Sequence, residues 1–471
     1  MDLRRRTFSM ALAATALTPG LAGAQAGPRY VRRDVYATGA GAAPLAAYAR
    51  AVAAMKARPA TDPTSWAFQA NIHGTYDDPV LGPNDPRAMW SSCQHSNWHF
   101  LSWHRIYLHY FERIVRAASG QPSFALPYWN YELATRRALP PAFRTPTIGN
   151  ALYVAARNDG SDPDPLFRIN INRGDRIPAS VVRSTNAMAA ARFGGPQGVP
   201  PGVSNLLESQ PHNILHVVIG GDGLMSDPAT AAQDPIFWLH HANIDRLWSR
   251  WARQPGRVPP SDTAWLDRKW TFFDERGARV EMSGRQILNT ATQLDYRYDD
   301  EPATPTPAAP QPTVTETEAI PPAPVAQAGG VTLDRTRPVA ATLRALPTES
   351  ARPVAPESGA PTYLVLEGFD YKGRQSTWYE IYVNAPDAAR LSAGGPYFAG
   401  NLGLFGLAGG HHGTEVGRTV LEIGDVLRRQ RRAGLWRGGE VTVRFVPRGP
   451  RSATESTSPA PKIGAIRLLQ Q

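Results

Sequence analysis

Nine of the eleven histidines in this chain fall into three tight groups, two of them set in stretches rich in tryptophan and phenylalanine. The first group is His73, His95, His99, His104 and His109; the second is His212 and His216; the third is His240 and His241. Histidine is the commonest metal ligand, and three dense groups in apolar surroundings point to a metal site where a lone histidine would point only to a packed core. Any fold available to this chain has to bring the groups together.

Helical geometry narrows which rings can converge. Residues at i and i+4 point to one side of a helix, which is the spacing of His212 and His216 within a single predicted helix. His240 and His241 sit about 100° apart on a helix, so only one of them faces a given site. His241 shares a face with Phe237 and Asp245, the inward side of Asp234 to Asp245, which makes His241 the expected ligand and places His240 behind it. In the first group two readings stay open. His95 and His99 form an i, i+4 pair, whereas His95 and His104 would lie on opposite faces of one helix unless His95 sits in the loop before it.

Apolar residues recur with helical spacing at Trp98, Leu101, Ile106, Leu108 and Phe111, again from Leu206 to Val218, and again from Phe237 to Trp251. A mainly α-helical bundle is expected over residues 25–299. Residues 300–328 are dominated by Pro, Ala and Thr, which cannot bury enough apolar surface to fold, and read as an exposed linker. From 329 to 471 the pattern turns to alternation, as in Trp378 to Val383 and Val441 to Val446, broken by Gly and Pro clusters. An all-β sandwich is expected there.

With 471 residues, two domains plus connecting segments is the natural division. The net charge of +10 is almost entirely arginine, since lysine occurs only at Lys56, Lys269, Lys372 and Lys462. The densest basic run, Arg428 to Arg432, is short and reads as a solvated face, so no nucleic-acid partner is expected. No apolar run beyond the N-terminus is long enough to cross a bilayer, so no stable membrane insertion is expected. Cys93 is the one cysteine, which excludes an intramolecular disulfide. Arg5-Arg6-Thr7-Phe8, the apolar stretch Met10 to Leu17 and the small residues Ala22-Gly23-Ala24 make residues 1–24 read as a twin-arginine export signal. A periplasmic or secreted location follows. That route carries folded proteins, which suits one that acquires metal before export.

His95 to Phe100 followed by Trp103-His104-Arg105-Ile106-Tyr107-Leu108 resembles the first copper signature of tyrosinases, catechol oxidases and molluscan haemocyanins, and Asp234 to Asp245 resembles the second. Pro127 to Asn130, Trp265-Leu266-Asp267 with Phe272-Phe273-Asp274, and Tyr296-Arg297-Tyr298 are similar to further motifs of plant polyphenol oxidases. Tyr379 to Asn384, Phe398-Ala399-Gly400 and Ile463-Gly464 are similar to their C-terminal domain. The resemblance implies a four-helix bundle around two copper ions. One ion would be held by His73, His95 and His104 and the other by His212, His216 and His241, with His95 in a loop and His99 and His109 in packing roles. Plant enzymes carry a cysteine four residues after the first histidine, where this chain has Asp77. Cys93, two before His95, instead matches the fungal and molluscan arrangement and implies a thioether to that imidazole.

The implied activity is oxidation of small phenols by O₂: o-diphenols to o-quinones, and monophenols by ortho-hydroxylation. Glu208 and Asn213 resemble a pair that holds a water able to take the phenol proton. The family's C-terminal domain implies latency, with Leu404 and Phe405, between glycines on a loop, as candidate plug residues, and a further pair, His411-His412, could assist metal loading. The competing readings are an o-aminophenol oxidase, an oxygen carrier of haemocyanin type and a structural zinc protein, the last disfavoured because such sites are closed by four ligands. The oligomeric state is not legible.

Overall fold

The computed structural model describes residues 27–37, 42–77, 85–162, 168–196, 199–303, 323–346, 359, 361–408, 416–450 and 457–470. The leader peptide expected over 1–24, the middle of the expected linker and His411-His412 lie outside them. Among the described residues no helix is long and apolar enough to cross a membrane.

The helical half is built from α1 (Ala42–Lys56), α2 (Trp66–His73), α3 (Phe100–Ser119), α4 (Val203–Leu207), α5 (Ile214–Gly220) and α6 (Ile236–Ala252), joined by long loops. Ser65 starts α2 by accepting the Phe68 N–H, which satisfies one of the amides a helix leaves open at its beginning. Gly120, at φ 65°, ends α3 in the left-handed conformation that glycine adopts without cost. α3 is buried along most of its length and packs against α1 and α6. Phe111 lies flat on Trp238 of α6 with ring centroids 3.3 Å apart. The expected continuous helix around His212 is broken. Residues Glu208–Asn213 form a wide π-type turn, in which Gln210 is fully extended at φ −154°, ψ 123°.

One buried polar cluster ties this half together. Strand β1 (Tyr30–Arg32) pairs in parallel with β4 (Tyr296–Tyr298), and between them in sequence β2 (Lys269–Phe273) and β3 (Arg279–Ser283) form a hairpin. Arg32 Nε donates to Glu112 of α3 at 2.8 Å and its Nη1 to Asp245 of α6 at 3.2 Å, while Arg105 Nε reaches Asp245 at 2.5 Å. Tyr296 and Tyr298 each donate to Asp245 at 2.5 Å. Burial alone would raise the Asp245 carboxyl, but the Arg105 and Arg32 guanidiniums outweigh it and hold the group below the usual carboxylate range. Arg157 with Asp234 is another fully buried pair, at 2.7 Å.

The C-terminal half is β-rich. Its strands are β5 (Ala323–Ala328), β6 (Val331–Thr332), β7 (Val339–Ala345), β8 (Thr362–Glu367), β9 (Trp378–Val383), β10 (Phe398–Leu402), β11 (Arg418–Glu422), β12 (Val441–Arg448), β13 (Lys462–Ile463) and β14 (Ala465–Gln470). Eight run in the order β10-β9-β12-β7-β5-β14-β8-β11. Two four-stranded halves meet at a short seam, Ala326 opposite Ala345 and Gln327 opposite Arg344, and both halves line one core that includes Leu343, Leu364, Ile381, Val443 and Leu468. β5 starts at Ala323, inside the range that composition assigned to the linker, because Ala326 pairs with Leu468 and buries itself there. The linker's other end is tied down by Arg246 on Asp300 and Ser249 on Glu301.

Removing the Asp245 charge would leave Arg105 buried without a carboxylate and Arg32 with Glu112 alone. Asp245→Ala is expected to destabilise the protein by about 3–5 kcal/mol, read as a lower denaturant midpoint at unchanged slope. His99, enclosed by Trp98, Trp265 and Trp270, is pushed down to about 4 by burial, with Arg268 adding to the shift. An unfolded histidine binds its proton near 6.5, so the metal-free protein loses stability as pH falls from there toward 4. Calorimetric scans at descending pH should show that loss, and His99→Gln should reduce it in part, since burial also holds His109 and His240 low.

Candidate metal centre

Each ring is delivered by a different local structure. His73 is the last residue of α2. His95 lies in the loop before α3, followed by Ser96 at φ 61°, so the two readings of the first group resolve in favour of the loop. His104 stands one turn into α3, His212 in the turn before α5, His216 in α5, and His240 and His241 in α6. Ligand atoms of His73, Cys93, His95 and His104 lie within 4.8 Å of one another, as do those of His212, His216, His240 and His241. The two clusters touch: the His104 and His241 rings stack with centroids 4.3 Å apart and planes 9° apart.

The orientation of the rings bears on what they can hold. His73 Nδ1 lies 2.8 Å from the Pro228 carbonyl, His104 Nδ1 2.7 Å from Phe100 O, and His216 Nδ1 2.8 Å from Met225 O. His212 Nδ1 lies 2.7 Å from the Asn213 side-chain oxygen. A carbonyl oxygen only accepts, so each Nδ1 carries the hydrogen and each Nε2 presents a lone pair. His212 Nε2 is buried with no hydrogen-bond partner, and His216 Nε2 faces His241 Nε2 at 3.3 Å. Burial pushes His212, His216 and His241 well below the ordinary imidazole range, so all three are neutral. Neutral nitrogens aimed at one another without protons between them are the donor set of a metal such as copper, so the residues present fit that ion.

Cys93 is buried, and its Sγ stands 3.7 Å from both ring nitrogens of His95 and 3.4 Å from His104 Nε2. A point equidistant from the two nitrogens lies in the plane through Cε1, the carbon between them. Glu208 closes α4, and its Oε1 accepts the Ser96 N–H at 2.5 Å, which links the two halves of the centre.

Leu404 and Phe405 part company. Leu404 packs into the β-rich core, whereas Phe405 belongs to the helical core. The Phe405 ring lies flat on His216 at 3.8 Å, with planes 9° apart, and edge-on to His95 at 5.5 Å. Glycines permit this approach. A side chain at Gly403 would strike the Asn213 and Ile214 backbone, and one at Gly406, at φ 68°, would meet the His95 ring at 2.9 Å. Tyr371 holds the same loop, donating to Leu404 O and accepting from Leu407 N at 3.1 Å and Ala408 N at 2.9 Å.

Residues 63–254 match the family model described as the common central domain of tyrosinase, and 260–310 match the polyphenol oxidase middle domain. Residues 324–467 match a domain of unknown function. A tyrosinase of Hahella sp. (strain CCB-MM4) is 32% identical over 452 residues, covering 86% of this chain and 92% of that protein. The chain belongs to the tyrosinase family. The latent polyphenol oxidase of Prunus armeniaca is 29% identical, with 74% of this chain and 62% of that protein covered. The structure of latent apple tyrosinase superposes with a TM-score of 0.63 at 23% identity, spanning 93% of this chain and 96% of that one, a likeness of fold. The chain is thus an oxidoreductase of a copper family that acts on phenols with O₂.

Within that tyrosinase frame one expectation is sharpened, since the sequence places His240 behind His241, and one feature escaped the sequence. His240 joins the second cluster and stacks 5.4 Å from His212, with its Nδ1 3.2 Å from the Tyr131 hydroxyl. Tyr371, distant in sequence from the loop it holds, carried no signal at all. Asn213→Leu removes the acceptor that fixes the His212 ring. It is expected to weaken metal binding by about 10–100-fold, measured by competition with a chelator.

Proposed function

We propose that this chain is a copper-dependent polyphenol oxidase that converts o-diphenols to o-quinones with O₂, hydroxylates monophenols at the ortho position, and is latent while its C-terminal domain is in place. The observation that carries the reading is the convergence of six imidazoles, with Nδ1 of four of them given to carbonyl oxygens, in a pocket closed by Phe405. His73, His95 and His104 would hold one copper ion, and His212, His216 and His241 the other. Bound copper supplies the electron exchange between phenol and O₂.

The chain's own groups do the rest. The flat stack of Phe405 on His216 supports a phenol ring lying in the same place, so plug and substrate would compete for one surface. Glu208 would take the phenol proton, directly or through a water, which an acid with a pKa near 10 in water requires before hydroxylation. Asn213 would serve through His212, whose N–H it accepts. The Cys93 sulfur, 3.7 Å from both ring nitrogens of His95, supports a thioether between them, which would fix a ligand that comes from a loop. Export through the twin-arginine route to the periplasm or medium completes the proposal.

Four outcomes are expected. Glu208→Gln lowers turnover of tyramine more than that of catechol; an unchanged ratio removes Glu208 as the base. Phe405→Ala raises the activity of the uncut chain, as does cleavage within 304–322 followed by loss of the domain. Mass spectrometry of the copper-loaded protein finds a Cys93–His95 peptide lighter by the two hydrogens that the bond displaces. Arg5→Lys with Arg6→Lys keeps the protein in the cytoplasm. Comparison of o-aminophenol with catechol separates the closest rival activity.

A further inference from the structure

The C-terminal domain does more than insert Phe405. Its β11 and β10 grip the two residues that follow Glu208. Ser209 Oγ accepts the Val420 N–H at 3.0 Å and is hydrogen-bonded to Thr419 Oγ1 at 2.8 Å. Gln210 Oε1 accepts the Asn401 N–H at 3.2 Å, while Gln210 Nε2 and Asn401 Nδ2 both donate to Ser180 O, at 2.7 and 2.9 Å. Ser209, Thr419 and Asn401 are buried.

This is the segment where the helix is interrupted. With Gln210 extended at φ −154°, the regular i to i+4 ladder does not run through residues 208–212. Side-chain contacts from both halves meet this turn: Ser180 O of the helical half on Gln210, and Thr419, Val420 and Asn401 of the C-terminal domain on Ser209 and Gln210. On one side of the gripped pair stands Glu208, bonded to the amide next to His95. On the other stands His212. We infer that Ser209 and Gln210 are positioning residues, through which the C-terminal domain sets the placement of Glu208 and His212. The domain thereby governs which phenols are turned over as well as whether the pocket is open. The inference rests on the reading of Glu208 and Phe405 given above.

The test uses the copper-loaded full chain carrying Phe405→Ala, which opens the pocket with the domain still docked, and compares it with the same chain after linker cleavage and removal of the domain. The ratio of kcat/KM for tyramine to that for catechol is expected to differ between the two by about threefold or more, the scale of coupling between residues that share a network. Ser209→Ala, or Thr419→Val made on the domain's own side, moves the docked chain toward the trimmed ratio. In the trimmed chain Ser209→Ala has no effect. Hydrogen exchange of the Ser209, Gln210, His212 and Asn213 amides is faster in the trimmed and Ser209→Ala proteins than in the docked one. Equal ratios and equal exchange in docked and trimmed chains overturn the inference, as does a Ser209→Ala effect of the same size in both. A Phe405→Ala chain as silent as the parent sinks the plug instead, and the exchange data then decide the inference alone.

Discussion

Six imidazoles can share one dry pocket only if none of them is charged, and the fold arranges this with backbone oxygens. A buried imidazolium would meet a desolvation penalty that keeps His212, His216 and His241 neutral, and four of the six rings turn an Nδ1 hydrogen outward to an oxygen. Pro228, Phe100 and Met225 provide carbonyls at the right places because a loop, a helix turn and a 3₁₀ turn bring them there. The rings are then locked as a by-product of satisfying their hydrogens. The metal site is in this sense the interior face of an otherwise ordinary hydrogen-bonding scheme, and it depends on α2, α3, α5 and α6 keeping their mutual distances. The Asp245 cluster keeps two of them, since it ties α3 to α6 and both to the chain's first and last strands of that domain.

The same logic explains why closing the pocket from outside is so direct. An aromatic ring set on His216 buries apolar surface against a face that otherwise would contact water, and the glycines on either side let the loop lie against Asn213 and His95. Tyr371 carries the loop as one piece, because a single hydroxyl serves three backbone groups around Phe405. Leu404 looks equivalent in sequence yet points the other way, into the β-rich core, and so anchors the loop that Phe405 projects from.

What the sequence made legible follows from what is local. His241 could be placed by helical phase, since it sits in regular helix four residues from both Phe237 and Asp245, and His216 by its i, i+4 spacing from His212. His95 could not, because a loop has no period, and only the copper-signature resemblance placed it. The break at Gln210 was equally invisible: Pro211 hints at an interruption, but the extended geometry is imposed by Ser180 and Asn401, hundreds of residues apart in the chain. β5 was hidden for a related reason. Ala323 to Ala328 has the composition of the linker before it, and becomes strand only because β7 and β14 offer edges on both sides.

These contacts also bear on how such a domain could be displaced. A plug tethered by a linker acts at an effective concentration on the order of millimolar, far above that of most substrates. Cutting the tether removes that term and no other. Tyr363, Val365, Trp378 and Val420 of the β-rich half remain embedded in the helical core, Asn186 still donates to Glu422 O at 3.0 Å, and the Gly449 amide to Asp162 at 2.6 Å. Under the latency proposed above, an interface of that kind would outlast the covalent link, and the cut would turn closure into an equilibrium set by dilution. On that proposal, weakening apolar contact between the halves would open the site, and the Ser209 and Gln210 contacts would be lost in the same event as the Phe405 contact.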